Sequence, residues 1–237
     1  MTDAPADNDA AGDDGRLILL LVGAVGAGKG TQATVLSKQL NLPHLASGNL
    51  FRAATAANTP LGQEARGHME RGELVPDETT IGMFMSELSS PAAARGAILD
   101  GFPRTVGQAR ALDETLARQG ERIRRVIYID VPTEELVRRV AGRWTCPNCG
   151  ASYHESTDPP SVPGICDRCG SALRQRDDDR PEVVRARLDQ QVPPMLDVID
   201  HYERAGIVER LDGTQNIDDV TADILKRIGA TPEAAPS

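Results

Sequence analysis

One stretch near the N-terminus constrains this chain more than any other: the apolar run Leu17 to Val22 passes directly into Gly23-Ala24-Val25-Gly26-Ala27-Gly28-Lys29-Gly30-Thr31. A run without polar alternation is what a central parallel strand needs when both its faces are covered. The glycines that follow let backbone N–H groups turn inward, and a helix opening at the loop's end adds the positive end of its dipole. Lys29 then stands where it can reach a transferred phosphate, so the segment reads as a phosphate-binding P-loop. Gly26, Ala27, Gly28, Lys29, Gly30 and Thr31 are its candidate triphosphate contacts. Gly30 is unusual, because most such loops carry Ser or Thr there.

Further apolar runs occur at Leu42 to Ala46, Ala97 to Asp100, Arg125 to Asp130 and Gly206 to Leu211. Helical patterns separate them at Lys29 to Leu40, Asp77 to Leu88, Val106 to Gln119, Pro132 to Gly142 and Arg180 to Ala205, with a last helix from the N-cap Asn216 to Gly229. Strand and helix alternate, which predicts an α/β fold with a five-stranded parallel sheet flanked by helices. Pro193 and Pro194 are expected to kink the long helix they interrupt. Two segments break the alternation: a helix-rich insertion over 46–75 and a loop-rich one over 142–179. The core is then 16–45, 76–141 and 180–229.

The second insertion holds all four cysteines, as Cys146-Pro-Asn-Cys149 and Cys166-Asp-Arg-Cys169. Two such knuckles supply four thiolates, a closed tetrahedral set suited to structural Zn²⁺, although two reactive thiol pairs share the spacing and iron suits the ligands too. Forty percent apolar residues are enough for a buried core, whereas residues 1–15 hold five Asp and no Lys or Arg and are expected to be disordered, as are 230–237. The net charge of −9 argues against a broad grip on nucleic acid, so a polyanionic ligand must meet a local basic patch. No apolar run approaches the ~20 residues of a membrane span, and a cytoplasmic protein is expected.

Several motifs in order resemble the adenylate kinase family, in its long bacterial form, over about residues 16–229: the GKGT ending of the loop, Ser47-Gly48-Asn49-Leu50-Phe51-Arg52, Glu73-Leu74-Val75, and Asp100-Gly101-Phe102-Pro103-Arg104-Thr105 followed by Gln108. The resemblance implies Mg²⁺-dependent phosphoryl transfer between ATP and AMP to give ADP, by a monomer with two mobile flaps. It further implies AMP contacts at Ser47, Arg52, Glu73, Leu74, Val75, Gly101, Phe102, Pro103, Arg104, Gln108, Arg176 and Arg187. ATP would meet the P-loop, Arg143, Ser152, Tyr153 and Gln215, and Asp100 would hold Mg²⁺ through water. Arg139, Arg143, Arg176 and Arg187, with Lys29 and Arg104, would stabilise the transferring group, helped by Asp178 and Asp179. Ser-Gly-Asn stands where the family usually has Thr-Gly-Asp, which removes a charge. Thr105 favours AMP over pyrimidine monophosphates, with UMP, CMP or GMP as the alternative acceptors and GTP as the alternative donor. His44, His68, His154 and His201 show no paired spacing and are expected to be packing or surface residues.

Overall fold

In the computed structural model, which describes residues 15–70, 75–175 and 179–230 apart from the side chains of Arg52 and residues 67–70, the first apolar run is strand β1 (Leu17–Val22). Ile18, Leu20 and Val22 enter one apolar cluster, while Leu19 and Leu21 enter another. Successive side chains of a strand point to opposite faces, so the run is apolar throughout because both faces are covered. Burying each such Leu or Ile contributes about 1.5–3 kcal/mol.

Next come α1 (Lys29–Leu40), β2 (His44–Ala46), α2 (Ser47–Ala56), α3 (Pro60–Glu70), α4 (Asp77–Leu88), β3 (Gly96–Asp100), α5 (Val106–Ala117) and β4 (Arg125–Asp130). The chain continues through α6 (Thr133–Ala141), β5 (Arg143–Thr145), β6 (Ser152–His154), α7 (Pro181–Glu203), β7 (Val208–Asp212) and α8 (Ile217–Ile228). Five strands form a parallel sheet in the order β2-β3-β1-β4-β7, and β5 pairs antiparallel with β6 in a separate ribbon. The expected five-stranded parallel sheet is therefore present. From β1 the chain goes to the edge strand β2, returns to β3 beside β1, and then crosses to the other side for β4 and β7, which leaves a crevice beyond the carboxyl ends of the central strands.

Some boundaries differ from the sequence reading for local reasons. β2 starts at His44 because the Leu42 N–H is taken by the Ser37 carbonyl and Pro43 has no N–H. β7 starts at Val208 because Gly206 and Ile207 donate back to Glu203 and Tyr202, closing the helix before it. Pro132 caps α6 from outside its first turn.

Helix α7 runs unbroken through Pro193 and Pro194. Its residues Val184 and Leu188 pack into the cluster with Leu19, whereas Val198, Ile199 and Tyr202 pack into the cluster with Leu20. The prolines thus fall where the helix passes from one side of the sheet to the other. They deprive the Asp189 and Gln190 carbonyls of their helical donors at two exposed residues, where solvent is available to replace those bonds.

Candidate active site

The P-loop leaves β1 and ends at α1, whose N-cap is Gly28. Gly26 has φ +87°, and a Cβ there would stand 2.7 Å from Val140 Cγ2, so only glycine lets the loop lie this close to α6. Lys29 Nζ donates to the Ala24 carbonyl at 3.0 Å, along the loop. Behind it, buried Gln32 donates to the Ile217 carbonyl at 2.9 Å and accepts from Thr221 Oγ1 at 2.8 Å, tying α1 to α8. Sequence reading passed over Gln32, although its spacing of four from Leu36 places it on the buried face of α1.

Beyond β3 the chain turns at Gly101, with φ +77° and a hypothetical Cβ only 2.8 Å from Ser47 Oγ. That close approach brings buried Ser47 beside Arg104, whose Nη2 donates to Ser47 Oγ at 3.4 Å and whose Nε donates to the Gly101 carbonyl at 2.8 Å. Phe102 is buried and stacks on Phe84 at 4.8 Å, before a cis bond to buried Pro103. Thr105 caps α5, its Oγ1 accepting the Gln108 N–H at 3.2 Å. Gln108 Oε1 accepts the Arg104 N–H at 2.7 Å, and Gln108 Nε2 donates to Asp77 Oδ1 at 2.7 Å.

Asp100 ends β3 beside the P-loop, with Oδ2 3.8 Å from where a Gly30 Cβ would stand. The same oxygen lies 3.1 Å from His44 Nε2. His44 was expected to be a packing or surface residue, and it is instead joined to the carboxylate proposed to hold Mg²⁺. His201 is likewise joined to a carboxylate, Asp113, at 2.8 Å, but far along α7 from the P-loop. His154 Nδ1 accepts the Ser156 and Thr157 N–H groups at 3.2 and 3.3 Å.

Arg143 grips fully buried Asp179 through two nitrogens, Nε at 3.0 Å from Oδ2 and Nη2 on Oδ1. Arg139 donates from Nε to Glu135 Oε1 at 2.7 Å, a pairing one helical turn apart. Burial pushes the Lys29 ammonium below its ordinary pKa; Asp100 opposes this, while Arg104 and Arg143 push the same way. Arg104 is lowered first by burial, with Asp100 opposing and Arg187 reinforcing. Asp100 thus lies between Lys29 and Arg104, with Arg143 close enough to act on Lys29 and Arg187 close enough to act on Arg104. This is the local basic patch that the acidic chain requires, and a polyphosphate among these groups relieves their repulsion.

Gln215 lies in the Asp212-Gly213-Thr214-Gln215 turn and donates to the Asp212 carbonyl at 3.2 Å. Thr214 hydrogen bonds hold the Asp212 carboxyl below its usual range, with a smaller contribution from Arg139. Val75 is half-buried just before α4. Glu73, Leu74, Arg176, Asp178, the side chains of Arg52 and His68, and both tails apart from Gly15 and Ala230 lie outside the described residues.

The four cysteine Sγ atoms lie within 4.8 Å of one another, with Cys146 to Cys169 at 3.4 Å and Cys149 to Cys166 at 3.5 Å. All four cysteines are free. Tetrahedral Zn–S bonds of about 2.3 Å place sulfurs about 3.8 Å apart, so the quartet fits zinc without rebuilding. Both knuckles share one backbone pattern: Cys146 N–H to Ala151 O with Gly150 N–H to Cys146 O, and Cys166 N–H to Ser171 O with Gly170 N–H to Cys166 O. The Tyr153 side chain is buried among them, its hydroxyl 3.4 Å from Cys166 Sγ and accepting the Asp167 N–H at 2.9 Å. Of the two β6 residues expected beside ATP, Ser152 is exposed, while the Tyr153 ring is committed to the small core of this segment.

A P-loop at the end of a central parallel strand, facing arginines carried by three other segments, defines a P-loop α/β protein that handles nucleotide phosphates. The model of one family, described as adenylate kinase, matches residues 21–207. Similar proteins include the adenylate kinases of Exiguobacterium sibiricum, 48% identical with 89% of this chain and 98% of the relative covered, and of Carboxydothermus hydrogenoformans, 47% identical with 87% and 96% covered. The adenylate kinase of Staphylococcus aureus is 44% identical over 87% of this chain and 96% of its own. The chain belongs to the adenylate kinase family and is a nucleoside monophosphate kinase. Among the described residues no helix is long and apolar enough to cross a membrane.

Proposed function

We propose that this enzyme binds ATP in the P-loop and AMP beside Arg104, and transfers the γ-phosphoryl group in line to give two molecules of ADP. An anionic oxygen of the AMP phosphate attacks the γ-phosphorus, the bond to the bridging oxygen breaks, and ADP departs. No proton need be removed first, so the reaction needs no general base. Lys29 and the backbone N–H groups over 26–31 bind the triphosphate, while Ser47, Arg52 and Arg104 bind the monophosphate. Glu73, Leu74, Val75 and 101–103 border the AMP. Arg139, Arg143, Arg176 and Arg187 offset charge spread over the transferring group.

The observation that carries the reading is the P-loop at the end of β1 with Asp100 beside it and Arg104 in the turn after β3, its Nη2 on Ser47 Oγ. A carboxylate near the P-loop suits Mg²⁺ held through water, and the ion supplies neutralisation of the phosphate oxygens. Residues 46–75 serve as the monophosphate flap and 142–179 as the lid, with Ser152, the Tyr153 backbone and Gln215 bordering ATP. Cys146, Cys149, Cys166 and Cys169 would hold Zn²⁺ as a structural ion. Thiols placed for metal rather than disulfide support a reducing, cytoplasmic setting.

The test is ADP formation from ATP and an acceptor panel of AMP, UMP, CMP and GMP, with and without Mg²⁺. The reading expects Mg²⁺-dependent conversion of AMP above the other acceptors. Folded protein that makes no ADP from ATP and AMP would overturn it.

A further inference from the structure

Gln108, one of the AMP contacts that the resemblance implies and read here as meeting the adenine edge, has its amide held on both sides. Oε1 accepts the Arg104 backbone N–H at 2.7 Å, and Nε2 donates to Asp77 Oδ1 at 2.7 Å. A terminal amide has nearly the same shape when flipped, and only its partners tell oxygen from nitrogen. Here the partners leave no choice. A backbone N–H only donates and a carboxylate only accepts, so one orientation satisfies both and the flipped one satisfies neither.

We propose that Asp77 is a specificity-determining positioning residue, which fixes the Gln108 amide in the orientation that reads adenine and rejects a 6-oxopurine. The inference rests on AMP being the acceptor. Adenine presents a donor at N6 and an acceptor at N1; hypoxanthine presents an acceptor at O6 and a donor at N1. With one site taken by Arg104 and one by Asp77, the amide keeps a lone pair on Oε1 and an N–H on Nε2. That pair complements adenine and opposes hypoxanthine. A flipped amide would reverse the preference, but it would set Nε2 hydrogens against the Arg104 N–H and Oε1 against the Asp77 carboxylate.

Three segments brace the reader. Asp77 is the first residue of α4, Gln108 lies in the first turn of α5 with its own N–H taken by Thr105, and Arg104 comes from the turn after β3. Asn at position 77 can present either oxygen or nitrogen, so in that variant only the Arg104 N–H still selects the flip, and the selection is weakened.

The test is steady-state kinetics with AMP and IMP as acceptors at saturating ATP, for the parent, Asp77→Asn, Gln108→Ala and the double variant. Loss of a charge-assisted hydrogen bond predicts an AMP KM raised about tenfold in Asp77→Asn and an AMP-to-IMP preference in kcat/KM lowered about tenfold, with ATP KM and kcat within about twofold of the parent. In the Gln108→Ala background, adding Asp77→Asn should change neither quantity, because the two residues act as one unit. An unmoved preference in folded Asp77→Asn would overturn the proposal. So would a further loss of the same size on top of Gln108→Ala, which would mean that Asp77 acts on α4 and not through the amide. Should Asp77→Asn misfold, Asp77→Ser carries the same test, since serine also suits a helix start. A parent enzyme inactive on AMP defeats the proposed function, whereas an active parent with an unmoved Asp77→Asn defeats this inference alone.

Discussion

Lys29 carries its charge where charge is disfavoured. Burial pushes its folded-state pKa below the ordinary 10.5, opposed by Asp100 and reinforced by Arg104 and Arg143. Between the folded and unfolded values the unfolded chain binds more protons, so this group's contribution to stability rises with pH across that window. Below it, burying the ammonium is a standing penalty. Lys29→Met should therefore melt no lower than the parent in the absence of nucleotide, while turnover falls by roughly 10²-fold or more. Thermal melts and the ADP assay check both halves, and retained turnover would refute the phosphate role. Arg104 anchors the turn through the Gly101 carbonyl while its Nη2 reaches Ser47. A lysine there keeps the charge but loses the planar fork, so Arg104→Lys should raise the AMP KM by about tenfold and leave the ATP KM nearly unchanged. Equal loss for both nucleotides would contradict the assignment.

At the scale of elements, the cysteine segment has few apolar residues of its own: Ala151, Tyr153 and Leu173 with two cysteines, and Trp144 packed alongside. Such a core is small for the ribbon of β5 and β6, so the proposed metal ligation would be its main source of order. Cys149→Ser should lower the bound zinc and the melting temperature together, the latter by roughly 5 °C or more. Zinc stoichiometry by atomic absorption is the check, and an unchanged metal content would dispose of the four-thiolate site. The segment is joined to the core at Gly142, where a Cβ would meet His154 Nε2 at 2.5 Å, and at Arg143, which grips Asp179 on the returning chain. The first packs the start of the lid against its own β6, and the second ties the two ends of the lid to each other.

For the whole molecule, the net charge of −9 and the basic patch are compatible because the cations are gathered in one crevice. They come from the P-loop, the turn after β3, the start of β5 and α7, so the catalytic charge is complete only when these segments are brought together. Water competes with AMP for the γ-phosphoryl group, which favours closure only with both substrates in place. On this account flap opening limits turnover. Rapid-quench measurement at saturating substrates should show a burst of product followed by a slower steady phase. A chemical step slower than product release would remove the burst and sink that account.

The P-loop, the alternation of apolar strands with helices, and the paired CxxC knuckles were legible because each is a contiguous pattern in which backbone needs and residue types coincide. His44 with Asp100, Gln32 with Thr221, Asp77 with Gln108 and Arg143 with Asp179 were not legible as pairs, for each joins residues far apart in the chain. Parallel pairing of β2 with β3 sets His44 opposite Ile98, two residues short of Asp100 on the same face, and no local signal in either strand announces that register. By itself the sequence determined the P-loop between the first strand and helix and the pairing of the four cysteines in two knuckles. The tertiary structure alone decided which side chains hold the binding groups in place, because such partnerships depend on where the sheet order and the helix packing bring distant residues together.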